Sequence, residues 1–332
     1  MPATAEATSR YVERRPAFRD KAFYRTVFDL HVSSLGIGTY LGAADDDTDR
    51  SYTDALVAAG LGGINLFDSA INYRNQRSER CIGAALQHLQ REEFVVCTKA
   101  GFLTPDAVPG FLEADDVVGG MHSLSPRFLA DQIERSRVNL GLDTIDVFYL
   151  HNPETQLSFR TRAEFETRIR RVFAYLERLV DQRKIRRYGV ATWDGFRRKD
   201  LLSLPRLTEI AVEEGGLEHH FRFIQLPFNI GMVEAFVDQP ENVLEAAARL
   251  GIVVVASATL LQGRVLAQMR NAVRELLPGL VSDAQRAIQF TRSTPGIAVA
   301  LVGMGRPEHV LDNLGVAKVP PASRAGYLKL YQ

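Results

Sequence analysis

The chain has 332 residues, of which 46% are hydrophobic, and its formal net charge is zero. This composition permits a large buried core and gives no overall field that would attract nucleic acid or an anionic membrane, so we expect neither partner and infer a small-molecule ligand. Two cysteines, Cys81 and Cys97, cannot form a disulfide framework, which favours a cytoplasmic protein. The most apolar run, Leu250 to Leu261, is too short to cross a bilayer.

Residues 1–23 mix charged and small residues without the apolar region of a secretory signal, and we expect them to be a flexible N-terminal extension. Tyr24 to Val32 is predicted to form a small hairpin that caps the bottom of the main domain. Beyond the hairpin, short apolar runs suited to strands buried on both faces alternate with longer amphipathic segments. The predicted strands are Ser34–Gly38, Gly63–Phe67, Phe94–Thr98, Ile145–Leu150, Arg186–Val190, Phe221–Leu226, Ile252–Ala256 and Ile297–Val302.

The helices after these strands are predicted to begin near Arg50, Ser78, Ser125, Phe165, Phe196, Glu241, Ser282 and Pro307. Repeated strand and helix pairs without a linker favour one α/β domain, a (β/α)8 TIM barrel over residues 24–320, instead of an open sheet plus a second domain. Residues 321–332 are expected to be a C-terminal tail.

Active sites of such barrels lie at the C-terminal ends of the strands. Several polar residues fall within a residue or two of a predicted strand end, and we expect their side chains to converge on one mouth. They are Thr39, Asp68, Lys99, His151, Thr192, Gln225 and Ser257.

Three of these, together with Tyr73, form a set that suits carbonyl reduction. A phenol has a pKa near 10, and the ammonium of Lys99 is expected to lower the pKa of Tyr73 while Asp68 keeps the lysine charged. His151 could donate a second hydrogen bond to the carbonyl oxygen. Each residue alone has a structural interpretation, such as a loop cap for Asp68 or a turn anchor for His151. Their coincidence on successive strands favours catalysis.

The same residues stand in recognisable motifs. The stretch Asn65–Tyr73 resembles the N-terminal signature of the aldo-keto reductase family, Val95–Lys99 its lysine strand, and Asp146–Pro153 its histidine strand. The resemblance implies an NAD(P)H-dependent oxidoreductase that interconverts a carbonyl and an alcohol. It implies Tyr73 as the general acid, assisted by Lys99, Asp68 and His151, and NADPH is slightly favoured over NADH.

The resemblance also implies where ligands bind. Gln225 would hold the nicotinamide carboxamide, and Arg306 is the best candidate for a phosphate ligand. The substrate pocket would include Tyr40, Phe102, His122 and Trp193. The full set of implied cofactor residues is Gly38, Thr39, Thr192, Gln225, Ser257, Leu260, Gly263, Gly303, Arg306, His309 and Asn313.

Two departures from the family pattern concern the nicotinamide. The family commonly has Ser-Asn where this chain has Ala191-Thr192, and a tyrosine that stacks on the ring where this chain has Ser257. Phe228 or Trp193 could replace that tyrosine if the geometry allows. A changed cofactor grip, an unusual substrate and loss of redox activity are all compatible with these changes.

The segment Ala100–Leu124 is long for a connection in a barrel and has an apolar side. It predicts either a lid over a bulky, partly apolar carbonyl substrate or a cluster that only covers the rim. Two other functions stay open: a regulatory subunit resembling potassium-channel β-subunits, and a barrel with non-redox chemistry. No metal site is predicted, and a homo-oligomer is possible.

Overall fold

A computed structural model describes residues 1–198, 200–238 and 240–331, without the side chain of Gln268. Eight parallel strands close into a barrel in chain order, with the last strand paired to the first, which confirms the predicted (β/α)8 architecture. The strands are β1 Leu35–Gly38, β2 Leu66–Asp68, β3 Val95–Ala100, β4 Ile145–His151, β5 Ile185–Ala191, β6 Phe221–Pro227, β7 Val253–Ser257 and β8 Ile297–Gly303.

The barrel strands are buried on both faces, as their apolar runs predict. Along β3, Val95 and Cys97 belong to the cluster that fills the barrel interior, whereas Val96 belongs to the cluster between strands and helices. Gly36 faces the interior, because a Cβ on it would stand 2.7 Å from the side chain of Leu301. Side chains of β3 therefore alternate between the two clusters, so that both faces of the strand are buried.

Helices alternate with the strands around the outside of the barrel. Ser125 caps its helix by accepting a hydrogen bond from the Phe128 amide, as predicted. The helix expected near Phe196 instead begins after Ser203, whose side chain caps it. The helices between strands are Asp46–Gly62, Arg77–Leu86, Pro126–Leu140, Arg162–Asp181, Leu204–Gly215, Val243–Arg249 and Asp283–Ser293, with Pro307–Asn313 after the last strand.

The start of β2 was predicted at Gly63, which is three residues too early. Gly63 ends the preceding helix with a φ of 123°, a left-handed conformation that favours glycine. The strand therefore begins only at Leu66, after the chain has turned.

The N-terminal residues pack against the barrel, which differs from the flexible extension expected there. The helix Ala5–Glu13 is capped by Thr4, and the buried Tyr11 hydroxyl donates to the Gly60 carbonyl oxygen at 2.6 Å. The Ala3 amide donates to the Asp146 carboxylate at the bottom of β4 at 2.7 Å. These buried contacts compensate for the conformational entropy that the segment loses when it becomes ordered. The composition of the segment did not indicate them. The domain boundaries stay a prediction.

Smaller elements complete the described chain. The predicted hairpin is present, with Tyr24–Val27 antiparallel to Leu30–Ser33. In the C-terminal region the helix Arg324–Leu328 buries Tyr327. In the described part of the chain, no helix is both long and apolar enough to span a membrane. The remaining helices and turns are Pro16–Arg19, Arg91–Glu93, Pro105–Ala107, Ala114–Asp116, Pro153–Ser158, Glu234–Val237, Leu261–Gln268, Asn271–Leu276, Leu314–Lys318 and Lys329–Tyr331, with a hairpin of Val117–Val118 and His122–Ser123.

Candidate active site

Three of the four predicted catalytic residues lie at neighbouring strand ends at one mouth of the barrel. Asp68 is the last residue of β2, Lys99 is next to last in β3, and His151 is the last residue of β4. The register pairs Asp68 with Cys97 and Lys99 with Tyr149, so the three positions stand side by side. Tyr73 reaches them from the loop after β2. The convergence results from the parallel order of the strands.

Lys99 and Asp68 form a buried ion pair. The Lys99 Nζ donates to Asp68 Oδ1 at 2.6 Å and to the Ser69 carbonyl oxygen at 2.6 Å, and the Lys99 side chain is 1% exposed. Burial opposes the charge on Lys99, but the Asp68 carboxylate, with Tyr73, outweighs it and raises the pKa of Lys99. The lysine is therefore a fixed cation at the mouth.

Tyr73 lies against this cation. The Lys99 Nζ is 4.9 Å from the centre of the Tyr73 ring, and the Tyr40 ring meets Tyr73 edge-on at 4.9 Å. Burial raises the pKa of Tyr73 above its ordinary value and outweighs Lys99, which acts in the lowering direction expected for it. The sequence indicated that Lys99 lies near Tyr73, but it did not indicate how far Tyr73 is removed from water. The phenol consequently holds its proton at neutral pH.

His151 is surrounded by aromatic rings and a second histidine. Its ring centre is 5.8 Å from that of Tyr73 and 5.1 Å from that of Phe102. Its Nδ1 atom is buried and has no hydrogen-bond partner among the described residues. Burial, together with Lys99 and His122, lowers the pKa of His151 well below its ordinary value. The imidazole is therefore neutral at physiological pH.

His122 is a supporting residue beneath His151, although it was predicted to line the substrate pocket. It is fully buried, with Nε2 2.8 Å from the His151 carbonyl oxygen and Nδ1 2.8 Å from the Gln156 amide nitrogen. Burial lowers the pKa of His122 to about 4. Gly101 makes this packing possible, because a Cβ there would stand 2.5 Å from the His151 oxygen. Sequence reasoning missed Gln156.

The residues expected to hold the nicotinamide carboxamide make contacts within the protein. Gln225 Nε2 donates to Asp68 Oδ2 at 2.8 Å, which ties β6 to the ion pair. The Thr192 hydroxyl donates to Glu154 Oε1 at 2.6 Å, and the same carboxylate oxygen accepts from the Trp193 amide at 2.9 Å. Glu154 was not predicted, although its place three residues after His151 marks it as a mouth residue. It fixes the loop after β5.

Two aromatic side chains were candidates to replace the missing ring-stacking tyrosine. Phe228 is fully buried and stacks on Phe290 with ring centres 6.1 Å apart, so it does not reach the mouth. Trp193 is 43% exposed at the end of β5. Of the two, only Trp193 is exposed.

The remaining predicted cofactor residues lie on strands β1, β7 and β8 and on the segments after them. Gly38 and Gly303 are register partners at the ends of adjacent strands, which leaves the rim between them without side chains. Arg306 and His309 are exposed near the end of β8, whereas Asn313 is buried at the end of its helix. Thr39 is fully buried, with its hydroxyl 3.1 Å from the Asp68 carbonyl oxygen. Ser257, Leu260 and Gly263 are partly exposed on and after β7.

The model of the aldo/keto reductase family matches residues 34–276, which is most of the chain. The chain belongs to this family. Curated relatives of this aldo/keto reductase include the NADH-specific methylglyoxal reductase of Escherichia coli strain K12, 30% identical over 204 residues that cover 60% of each protein. The D-threo-aldose 1-dehydrogenase of Pseudomonas sp. is 30% identical over 172 residues, 49% of each chain.

The match to these two relatives thus spans 60% and 49% of their lengths. A solved aldo/keto reductase from Klebsiella pneumoniae, in complex with NADP and acetate, superposes with a TM-score of 0.68 at 19% identity. The superposition covers 94% of this chain and 95% of that one, which establishes the shared fold.

Proposed function

We propose that the protein is an NAD(P)H-dependent oxidoreductase that interconverts an aldehyde or ketone and an alcohol, with Tyr73 as the general acid in reduction. One observation carries this proposal. A buried cation at Lys99, held by Asp68 at 2.6 Å, lies against the Tyr73 ring, and a neutral His151 stands beside the same ring. The Lys99 and His151 side chains can stabilise negative charge that develops on a carbonyl oxygen.

A dinucleotide fits the residues at the rim. Gly38 and Gly303 leave open space at the ends of adjacent strands, since the nearest atom to a Cβ on either would be 3.8 or 3.9 Å away, and the exposed Arg306 follows Gly303 by three positions. Gln225 can hold the carboxamide, because its Nε2 is engaged by Asp68 and its Oε1 is then the acceptor it has to offer. A bound nicotinamide would supply the hydride for reduction of the carbonyl carbon, or accept it in the reverse direction. Arg306 favours NADPH over NADH.

Side chains of this protein can supply the proton that the reduction requires. Tyr73 is protonated at neutral pH and can pass its proton to the carbonyl oxygen as that oxygen gains charge. Lys99 stabilises the phenolate that remains. Because His151 Nδ1 is buried without an acceptor, the ring proton belongs on Nε2, which then donates to the same oxygen.

The buried ion pair favours catalysis over a purely regulatory role. Burial of a lysine and an aspartate has a large desolvation free energy. A regulatory subunit that only binds a cofactor does not need a buried cation packed against a tyrosine. The relatives' names support a redox reaction: one reduces methylglyoxal with NADH and another is a dehydrogenase of D-threo-aldoses.

The test is Tyr73→Phe in the full chain. We expect consumption of NADPH or NADH with a panel of small aldehydes and ketones to fall about 10²- to 10⁴-fold, the usual contribution of a general acid. Binding of the dinucleotide, followed by its fluorescence, should be retained. Tyr175→Phe, which removes a hydroxyl on the outer helix Arg162–Asp181, is the matched control.

Unchanged turnover in Tyr73→Phe would refute the role of this residue. Failure of both NADPH and NADH to bind would refute the oxidoreductase as a whole.

A further inference from the structure

A cavity of about 420 Å³ lies between the long loop Ala100–Leu124 and the starts of two outer helices. Ser125 lines it from the start of one helix, and Thr167 lines it from the first turns of the helix Arg162–Asp181. The four proposed catalytic residues are not part of this lining. The cavity is therefore separate from the proposed active site.

Three arginines line this cavity. Arg168 and Arg171 are three positions apart on the helix Arg162–Asp181 and so share a face of it, and Arg160 precedes the helix. The side chains of Arg160 and Arg168 are mostly buried, at 23% and 17% exposure. Arg171 is exposed, and no carboxylate of the described residues forms an ion pair with it. The planar donors of guanidinium groups match the oxygen atoms of carboxylates and phosphates.

Asp115 in the long loop shows that an anionic oxygen fits between two of these arginines. Its Oδ1 accepts a hydrogen bond from Arg160 Nη2 at 2.6 Å, and Arg168 Nη2 is 3.2 Å from its Oδ2. The Asp115 side chain is nevertheless 82% exposed. An ion pair with so exposed a member contributes little to stability, so a stronger anion can displace this carboxylate into water.

The other two acids in the lining are engaged elsewhere. Glu164 Oε2 accepts hydrogen bonds from the Thr161 amide and hydroxyl, both at 2.8 Å, in the cap of its own helix. Asp116 Oδ2 accepts from Arg127 Nε at 3.0 Å. Asp115 is therefore the acid that remains in this lining to balance three arginines, and positive charge is in excess.

The size of this excess favours a phosphate group over a carboxylate. A phosphate ester carries a charge of about −1.5 to −2 at pH 7 and offers three acceptor oxygens, whereas a carboxylate carries one charge and offers two. The start of the helix Pro126–Leu140 also lines the cavity, and the positive end of its dipole acts in the same direction.

The long loop is held by contacts that do not involve Asp115. The Phe102 ring packs on His151 with ring centres 5.1 Å apart, and Leu103 and Leu112 pack against the core. These contacts weaken the indication of a bulky apolar substrate and favour a loop that covers the rim. They also hold the loop when the Asp115 side chain leaves the arginines.

We propose that Arg160, Arg168 and Arg171 form a binding site for a phosphate group, in which the Asp115 carboxylate occupies part of the site when no ligand is bound. The ligand is free phosphate or a phosphate ester. The site goes beyond the proposed function, and its test does not depend on turnover.

The test follows the binding of inorganic phosphate to the full-length protein by phosphorus NMR, with sodium chloride added to keep the ionic strength constant. We expect the Kd for phosphate to rise about 3- to 10-fold in Arg171→Gln, as loss of one charged hydrogen bond at an exposed side chain predicts. Arg178→Gln is the matched control, because Arg178 is exposed on the same helix and is not part of the lining. It should leave the Kd unchanged, as should Arg306→Gln near the rim proposed for the dinucleotide.

Asp115→Asn separates a binding site from a cluster that only stabilises the loop. Removal of the competing carboxylate should lower the Kd for phosphate about 2- to 5-fold, whereas loss of a purely structural contact would not tighten binding. Glycerol 3-phosphate is titrated in parallel; if it binds more tightly than inorganic phosphate the ligand is an ester, and otherwise it is the free ion. The proposal is overturned if phosphate does not bind, if Arg171→Gln and Asp115→Asn leave the Kd unchanged, or if Arg306→Gln abolishes binding.

Discussion

Replacing Asp68 with asparagine tests the central electrostatic feature of the site. The change keeps the shape of the side chain and an oxygen for Lys99, which also keeps its hydrogen bond to the Ser69 carbonyl oxygen at 2.6 Å. It removes the negative charge that balances the positive charge of Lys99, whose side chain is only 1% exposed. Breaking a buried pair in this way costs about 3–5 kcal/mol, and the retained hydrogen bonds place the expected loss near about 3 kcal/mol at neutral pH.

The pH dependence gives this loss a signature. In the native protein the pKa of Lys99 is raised, so its contribution to stability is present below the unfolded pKa of about 10.4 and is lost only above it. In Asp68→Asn burial dominates and lowers the pKa of Lys99. A lysine of that kind destabilises the fold increasingly as pH falls below about 10.4. The deficit should therefore shrink between about pH 7 and about pH 9.5.

The assay is urea unfolding followed by circular dichroism at both pH values. Asp143→Asn, at an exposed acid, is the matched control and should change stability by less than about 0.5 kcal/mol. A cost below about 1 kcal/mol for Asp68→Asn, or a deficit that does not change with pH, would refute the reasoning.

Two further predictions concern the support of His151. Burial lowers the pKa of His122 from 6.5 to about 4, so stability should fall as pH falls from about 6.5 to about 4, by up to about 3 kcal/mol. His122→Gln should flatten this dependence in acid unfolding, and an unchanged profile would contradict it. Gly101→Ala places a Cβ 2.5 Å from the His151 oxygen and should cost about 1–3 kcal/mol and reduce kcat. If Gly101→Ala kept native stability and activity, the loop would accommodate the added Cβ without a loss of free energy, and the prediction would be wrong.

The barrel and the convergence of Asp68, Lys99 and His151 were predictable because both depend on short-range patterns. Each parallel strand is buried on both faces and so carries its own apolar run. Once the runs are aligned, the polar residue at each end must reach the same mouth. A predicted strand start is displaced where a turn lies within an apolar run, as at Gly63 before β2.

The supporting contacts were not predictable, because they join loops that are distant in sequence. Glu154 meets Thr192 across 38 positions, and nothing local to either residue indicates the other. The extent to which each side chain is buried was also not predictable from the sequence. The neighbours of Tyr73 were correctly expected, but the direction of its pKa depends on how far the folded loops remove it from water.

Buried polar groups lie at both ends of the barrel, and among the described residues some of them at each end have no hydrogen-bond partner. At the bottom, the Asp146 carboxylate accepts hydrogen bonds from the Ala3 amide, the Val96 amide and Arg91 at 2.6–2.9 Å. Within the described part of the chain, Arg91 Nε at the bottom is buried without a partner, and so are His151 Nδ1 and Asn72 Oδ1 at the mouth. Folding alone favours satisfied groups, and unsatisfied ones lower stability. An unsatisfied group therefore does not mark a site by itself, and the proposed site rests instead on the buried Lys99 and Asp68 pair that packs against Tyr73.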